Sequence, residues 1–421
     1  MSIGYACKLI GVNNTDTKSC LLKNVTEDAL HSIINYNLAA LNNIIDYNIQ
    51  NNIMLFRISS DLIPFGSSDI NTIKWWEYYS DVLSSLGKKI QASGMRVSLH
   101  PGQYTVLNSP NSDVVNRAIL DLIYHTRILD AMNLDSSHKI ILHIGGAYNN
   151  KPEAIKRFME NYSLLPLQVK NRLVIENDDK IYCIEEVLNI GLTLNIPVVF
   201  DNLHNSINPS NPSFSEGYWL QKCKKTWKAK DGKQKIHYSQ QAKARKRGSH
   251  SDYINIVDFI AFYETNNGES LDIMLEVKDK NLSCIKCVNC TTPNLKAIAL
   301  EKEWSRYKYN VLQHSQQSYL SIRGFLKNKT NPSAIDFYVL LENGLTSEAS
   351  IGTISNALFH VWGYFKNIAT PSEKASFFKL YENFKQEKTS LQTVKNFLKR
   401  LALKYYQNYL LNSYFFLNLY E

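Results

Sequence analysis

Six apolar runs in this chain lead into a side chain that can bind a cation or move a proton. RVSLH closes on His100, KIILHIG carries His143, RLVIEN carries Glu176, IPVVFD ends at Asp201 with His204 just beyond, QKIHYS carries His237 with His250 further on, and LDIMLEV carries Glu276. Imidazole and carboxylate donors without cysteine suit Mn, Mg, Fe or Zn in catalytic rather than structural sites. Clustered carboxylates repel one another and resist ionisation, so donors of this kind meeting in one place need bound cations. With this many donors, two or three ions are expected. Several cations together suit in-line cleavage of a phosphodiester, which requires an activated water, a neutralised leaving oxygen and a clamp on the non-bridging oxygens. No serine or cysteine nucleophile is then needed.

Such donors meet only if the runs that carry them are neighbouring strands ending on one side. Eight runs qualify as strands: SIGYA, IMLFRIS, RVSLH, KIILHIG, RLVIEN, IPVVFD, QKIHYS and LDIMLEV. Between them lie amphipathic stretches that predict helices, among them Ile73 to Ser93, Ser112 to Met132, Lys151 to Leu165 and Tyr253 to Thr265. Repeated βα units of this number close into a (β/α)8 TIM barrel, whose active site lies at the C-terminal ends of the strands. The barrel is expected over residues 1–295. From about residue 300 to 421 the periodicity is helical only, with aromatic residues at core spacing, punctuated by Asn331-Pro332 and Thr370-Pro371. A second, smaller all-helical domain is expected there, with a helix starting at Pro371-Ser372-Glu373-Lys374.

A hydrophobic content of 44% fits a packed globular protein. The opening MSIGYACKLI has no basic segment before an apolar core, and no run is long enough to span a bilayer. A cytoplasmic protein is expected. Seven scattered cysteines do not form a disulfide framework. Of the net charge of +9, residues 221–247 hold eleven Lys/Arg against Asp231 alone. That run is either a solvated loop or, if it stands beside the reactive site, a surface for phosphates.

The segments HPGQY, LHIGGAYNNKPEAIKRF, LVIENDDKIY, PVVFDNLHN, KIHYS, RGSHSDYI and MLEVKDK, in this order, resemble the motif series of the UV damage endonuclease family over nearly all of residues 1–290. The resemblance implies a metal-dependent DNA repair enzyme on a barrel similar to endonuclease IV. Such an enzyme nicks damaged double-stranded DNA immediately 5′ of cyclobutane pyrimidine dimers and 6-4 photoproducts, and often of abasic sites, leaving a 3′-hydroxyl and a 5′-phosphate. It further implies three Mn²⁺ ions: one held by His100, His143 and Glu176, a second by Glu176, Asp201, His237 and Glu276, and a third by His204 and His250. Gln103 and Tyr104 would form a probe inserted at the lesion, and Tyr5 would touch the extruded nucleotides. Lys235 would be carboxylated and serve as a catalytic ligand beside Glu176 and Glu276.

The residues themselves leave alternatives at several of these positions. Lys235 stands two residues before His237 and shares its face of the strand, yet an ammonium beside cations is unfavourable, and a lysine turned to solvent or phosphate competes. Tyr104 could cap the barrel mouth, and Tyr5 could be a core tyrosine with its hydroxyl satisfied. With His237 and His250 flanking it, the basic run reads better as a phosphate surface, with Arg245, Lys246 and Arg247 foremost. Cys284, Cys287 and Cys290 depart from the family pattern; without a fourth cysteine they fit a helix face better than zinc or an iron–sulfur cluster. Residues Trp304 to Phe416 resemble the YbgA-type domain through WSRYKYNVLQHS and ALFHVWGYFKN, a domain that would bind DNA or a protein partner. Two rival functions remain on the same residues: a divalent-metal sugar isomerase or epimerase, and a DNA-damage binding module without catalysis.

Overall fold

The structure is a computed structural model that describes residues 2–327 and 332–417; Asn331 of the Asn331-Pro332 pair lies outside them. Eight parallel strands, β1 (Ser2–Ala6), β2 (Leu55–Arg57), β3 (Arg96–Leu99), β4 (Lys139–His143), β5 (Leu173–Glu176), β6 (Val198–Asp201), β7 (Lys235–Tyr238) and β8 (Asp272–Leu275), pair in sequence order, and β8 pairs with β1 to close the barrel. The expected eight-stranded barrel is therefore present.

Register decides which donors become neighbours. His143 pairs with Glu176 across β4 and β5, and Asp201 with His237 across β6 and β7, while Glu176 pairs with Val199, two residues before Asp201 on the same face of β6. Because side chains alternate along a strand, the same parity that points His143 inward also points Ile141 and Lys139 inward. The middle of the lumen is apolar, with Ile141, Val174 and Val199 in one cluster and Ala6, Leu55 and Met274 in another. Below it, at the N-terminal ends of the strands, buried charges pair: Arg96 with Asp272, and Lys139 with Asp231 at 2.6 Å.

The surrounding helices start on side-chain caps, as Thr26, Asn111 and Asn150 accept bonds from N–H groups in the first turns of Glu27–Gln50, Ser112–Ala131 and Lys151–Ser163. The helix expected from Ile73 to Ser93 is two, Trp75–Tyr78 and Ser80–Ser93, because Tyr79 leaves helical geometry at φ −104° and ψ 21°. Gly94 then ends the second in a left-handed cap at φ 71°. The helix expected from Tyr253 runs over Ile256–Thr265.

The basic run is not one loop, which corrects the sequence expectation. Six of its cations, Lys222 to Lys233, precede β7, and Trp227 donates to the carbonyl of Val198, the first residue of β6. They belong to the N-terminal end of the barrel, away from the strand-end donors. Only Lys243, Arg245, Lys246 and Arg247 follow β7 on the donor side.

The chain forms two compact units, one of residues 1–254 and 261–288, the other of residues 255–260 and 289–421. The division falls inside the helix Asn281–Thr291, a few residues before the boundary read from composition. The second unit is helical, and its core holds the aromatics expected there: Trp362 stacks on Phe377 with centroids 4.2 Å apart, beside Phe365 and Phe415. Thr370 caps Pro371–Lys385 reciprocally with Glu373, as the sequence predicts.

Candidate metal centre

Glu176 lies at the centre of the strand-end donors and is fully buried. Its Oε2 is 3.2 Å from His100 Nε2 and 3.7 Å from His143 Nε2, while its Oε1 is 2.7 Å from His237 Nδ1. The two oxygens thus face two donor groups. His100, His143 and Glu176 form one set, and Glu176, Asp201 and His237 the other, with the donor atoms of each set within 4.8 Å of one another.

Electrostatics show how tightly these groups depend on one another. Burial pushes the Glu176 carboxyl up, but the imidazoles of His237, His143 and His100 close to its oxygens outweigh it and hold it well below the usual range. Asp201 goes the other way: burial, with Glu176 and Glu276 nearby, raises its carboxyl to about 7 against the opposing pull of His204. His204 is lifted to about 9 because Asp201 and Glu176 overcome its burial. Burial drives His100 down to about 4. Three buried polar atoms, His143 Nδ1, Asp201 Oδ2 and His237 Nε2, have no hydrogen-bond partner among the described residues. Buried polar atoms without partners are rare and costly, and a cation would satisfy those that point toward it. The donor set therefore fits a divalent metal.

The remaining expected ligands stand beside these sets rather than in them. Glu276 is ion-paired with Arg57, with His237 Nδ1 at 3.4 Å and His250 Nε2 at 3.8 Å. His204 donates from Nδ1 to the Asn177 carbonyl at 2.9 Å, which leaves only its Nε2 available. His204 and His250 are not gathered into a third set among the described residues. Lys235 is fully buried at the start of β7, on the lumen face one layer below His237. Burial, and the charges of Arg96, Arg57 and Lys139, hold its amine well below the usual lysine value, with Asp272 opposing. The solvent-facing reading of Lys235 is thereby removed.

Above the donors opens a cleft of about 1300 Å³, lined by His100, His143, His204, Gln103 and Tyr104 among others. Tyr104 is 83% exposed and Gln103 is exposed, so the tyrosine stands on the rim and does not cap the mouth. Tyr5 is elsewhere. It is fully buried, and its hydroxyl donates to Asn48 Oδ1 at 2.8 Å, on the helix Glu27–Gln50. Strand parity explains the correction: Ala6 faces the lumen with Leu55 and Met274, so Tyr5 faces the helices. Arg245 pairs with Asp252 at 3.2 Å and Arg247 donates to the carbonyls of Ser206 and Ile207, while Lys246 is exposed.

Cys284 and Cys287 are buried on a helix, the Cys284 thiol points to the Ile3 carbonyl at 3.7 Å, and burial pushes that thiol well up. A thiolate ligand needs the opposite. Two further residues were not singled out from sequence. Arg57 ends the IMLFRIS strand as the histidines end theirs, a signal open to reading. Asn177 follows Glu176, and its side chain both accepts from the Asp201 N–H and donates to the Asp201 carbonyl; nothing in its type marks it.

Barrel and cluster together define a TIM-barrel protein with a candidate histidine–carboxylate metal centre at the C-terminal ends of its strands. Residues 3–304 match the family model described as UV-endonuclease UvdE, and residues 308–420 one described as a protein of unknown function, DUF1722. A UV DNA damage endonuclease from Clostridium perfringens (strain 13 / Type A) is 41% identical over 400 residues, covering 94% of this chain and 95% of its own. One from Bacillus cereus (strain G9842) is 33% identical over 271 residues, covering 64% of this chain and 85% of its own. The crystal structure of SacUVDE superposes with a TM-score of 0.65 at 38% identity, over 68% of this chain and 96% of that one. The chain belongs to the UV damage endonuclease family.

Proposed function

We propose that this protein is a metal-dependent DNA repair endonuclease that cuts the phosphodiester immediately 5′ of cyclobutane pyrimidine dimers and 6-4 photoproducts, and of abasic sites, leaving a 3′-hydroxyl and a 5′-phosphate. The observation that carries the reading is Glu176, whose two carboxylate oxygens face two donor sets, with His100 and His143 of one set lining an open cleft. His100, His143 and Glu176 would hold one ion and Glu176, Asp201 and His237 a second; His204, His250 and Glu276 border the space for a third. Manganese is the metal we assign. Such ions supply an activated water and neutralise charge on the phosphate and its leaving oxygen.

The protein's own contributions are orientation and selection. Nδ1 of His204, committed to the Asn177 carbonyl, fixes which nitrogen faces the cluster, and Arg57 keeps Glu276 ionised. Lys235, with its depressed amine beneath His237, supports carboxylation to a negative side chain that would join the ligands. Gln103 and Tyr104, exposed on the rim, would enter the duplex where damaged bases leave the stack, since poorly stacked steps cost least to open. Lys243, Lys246 and their neighbours would track the phosphates. At about 1300 Å³ the cleft exceeds the roughly 300–1000 Å³ usual for small-molecule pockets, which favours a polymer over a sugar. The test is purified protein with Mn²⁺ on UV-irradiated and untreated end-labelled duplex, with the ends of the product identified. Damage-dependent nicking with the stated ends supports the proposal; binding without nicking, or turnover of sugars alone, overturns it.

A further inference from the structure

The helical unit carries a charge pattern that the barrel's site does not use. From Lys388 to Phe416 the chain has five cations, Lys388, Lys395, Lys399, Arg400 and Lys404, and no Asp or Glu. A surface that serves only solubility usually mixes both signs. On the helix Leu391–Lys404, Asn396, Lys399, Arg400, Leu403 and Lys404 are exposed, and at about 100° per residue they fall within one arc of roughly 140°. Lys404 is held by Glu373 at 2.6 Å, whereas Lys399 and Arg400 have no carboxylate partner among the described residues. Just past the helix, Tyr406 is 83% exposed at φ 51°, a left-handed conformation that bulky side chains rarely adopt. The backbone there holds an aromatic ring out in water. Close by in sequence, Tyr409 is partly exposed, with the Lys308 ammonium 4.6 Å from its ring centroid.

The Arg400 guanidinium lies 5.8 Å from the Phe397 ring centroid. Cations without a carboxylate partner, close in sequence to exposed rings, match a polyanion that also presents apolar faces, which is the chemistry of nucleic acid. We propose that this face of the helical unit is a second nucleic-acid surface that holds duplex DNA by its phosphates, with Lys399 and Arg400 as the phosphate contacts and Tyr406 against the sugar edge. The choice of DNA over RNA rests on the reading of the barrel as a DNA endonuclease; the existence of the surface does not. Held there, undamaged duplex would stay close while the barrel searches it.

The test uses the full chain. Affinity for an undamaged labelled duplex is measured against KCl concentration for the wild type, for Lys399→Ala with Arg400→Ala, and for a control with Lys88→Ala and Lys225→Ala. Those two control positions are exposed cations of the barrel unit. Losing two phosphate contacts should lower the salt slope by about 1.8, so that between 50 and 200 mM KCl the wild type loses about tenfold more affinity than the variant. The control should behave as the wild type. Thermal unfolding confirms that each variant is folded, and nicking of a short lesion duplex should be retained, because the substituted residues lie outside the cluster. An unchanged slope, an equal loss in the control, or a larger loss on folded RNA or anionic vesicles than on DNA overturns the proposal. Absence of nicking in every protein with the slope change present would instead count against the barrel reading alone.

Discussion

Replacing Glu176 by glutamine tests the bridge between the two donor sets more sharply than any other substitution. The change keeps the size of the side chain and removes its charge. Because Oε2 faces His100 and His143 while Oε1 faces His237, one substitution takes a ligand from both sets. Asp201→Asn takes a ligand from only one. With free Mn²⁺ at about one hundred times Kd, each site stabilises the folded protein by about 2.7 kcal/mol, and two sites by about 5 kcal/mol. For a unit of residues 1–254 and 261–288, at about 2.1 cal/mol/K of unfolding entropy per residue, that is a rise in Tm of roughly 9 °C. The assay is a Mn²⁺ titration of metal-stripped protein followed by thermal unfolding, with bound metal counted by mass spectrometry. Glu176→Gln is expected to abolish nearly the whole rise and remove two equivalents of metal, and Asp201→Asn about half the rise and one equivalent. Equal losses in the two variants would refute the bridge.

Three other outcomes are expected. Gln103→Ala with Tyr104→Ala should leave metal content intact while preference for irradiated over untreated duplex falls about 5- to 150-fold, since base–aromatic stacking contributes roughly 1–3 kcal/mol; an unchanged preference removes the probe. Lys235→Ala should lower nicking far more than DNA binding, and equal loss of both would make it a structural residue of the lumen. His138 is buried in the barrel floor and accepts the Val97 N–H through Nδ1, and burial lowers it to about 4. Its neutral form therefore contributes stability that is fully present above the unfolded value of about 6.5 and is lost as pH falls toward 4, by at most about 3 kcal/mol. An NMR titration of the imidazole checks this, and a midpoint near 6.5 contradicts it.

The barrel and its donors were legible because two simple periods carry them. Apolar runs that end in polar groups mark strands, and their C-terminal ends mark the mouth, so six strands announced their donors without any knowledge of contacts. What failed was what the strand period alone does not encode. A count of charges over residues 221–247 joins cations that β7 sends to opposite ends of the barrel. Arg57 was missed because only acids and imidazoles were sought at strand ends, although an ionised Glu276 needs a counter-charge as much as a metal does. For Tyr5, no donor on β1 fixes the parity. The clue is steric: a Cβ on Gly4 would lie 2.0 Å from the carbonyl oxygen of Leu55, its partner on β2, so no side chain fits at that position. Packing of that kind is decided by the partner strand, and it is not visible in one run of sequence.

Tyr5 and Tyr104 are the same side chain with opposite fates, and the difference explains why selectivity is expected of the rim. A tyrosine inside a strand is claimed by its layer, whereas one on a loop past a strand end is free to meet a ligand. The loop after β3 is nonetheless tied to the cluster. His100 Nδ1 donates to the Pro101 carbonyl at 3.0 Å, leaving Nε2 to face Glu176, and only Pro101 and Gly102 separate that imidazole from Gln103 and Tyr104. A carbonyl that moves with the rim re-aims the ring, because the hydrogen bond at one nitrogen sets the direction of the other. Displacement of Tyr104 on meeting a distorted duplex is therefore expected to reach Glu176 through one hydrogen bond, so that the residue proposed to read damage would also adjust a ligand of the proposed metal site.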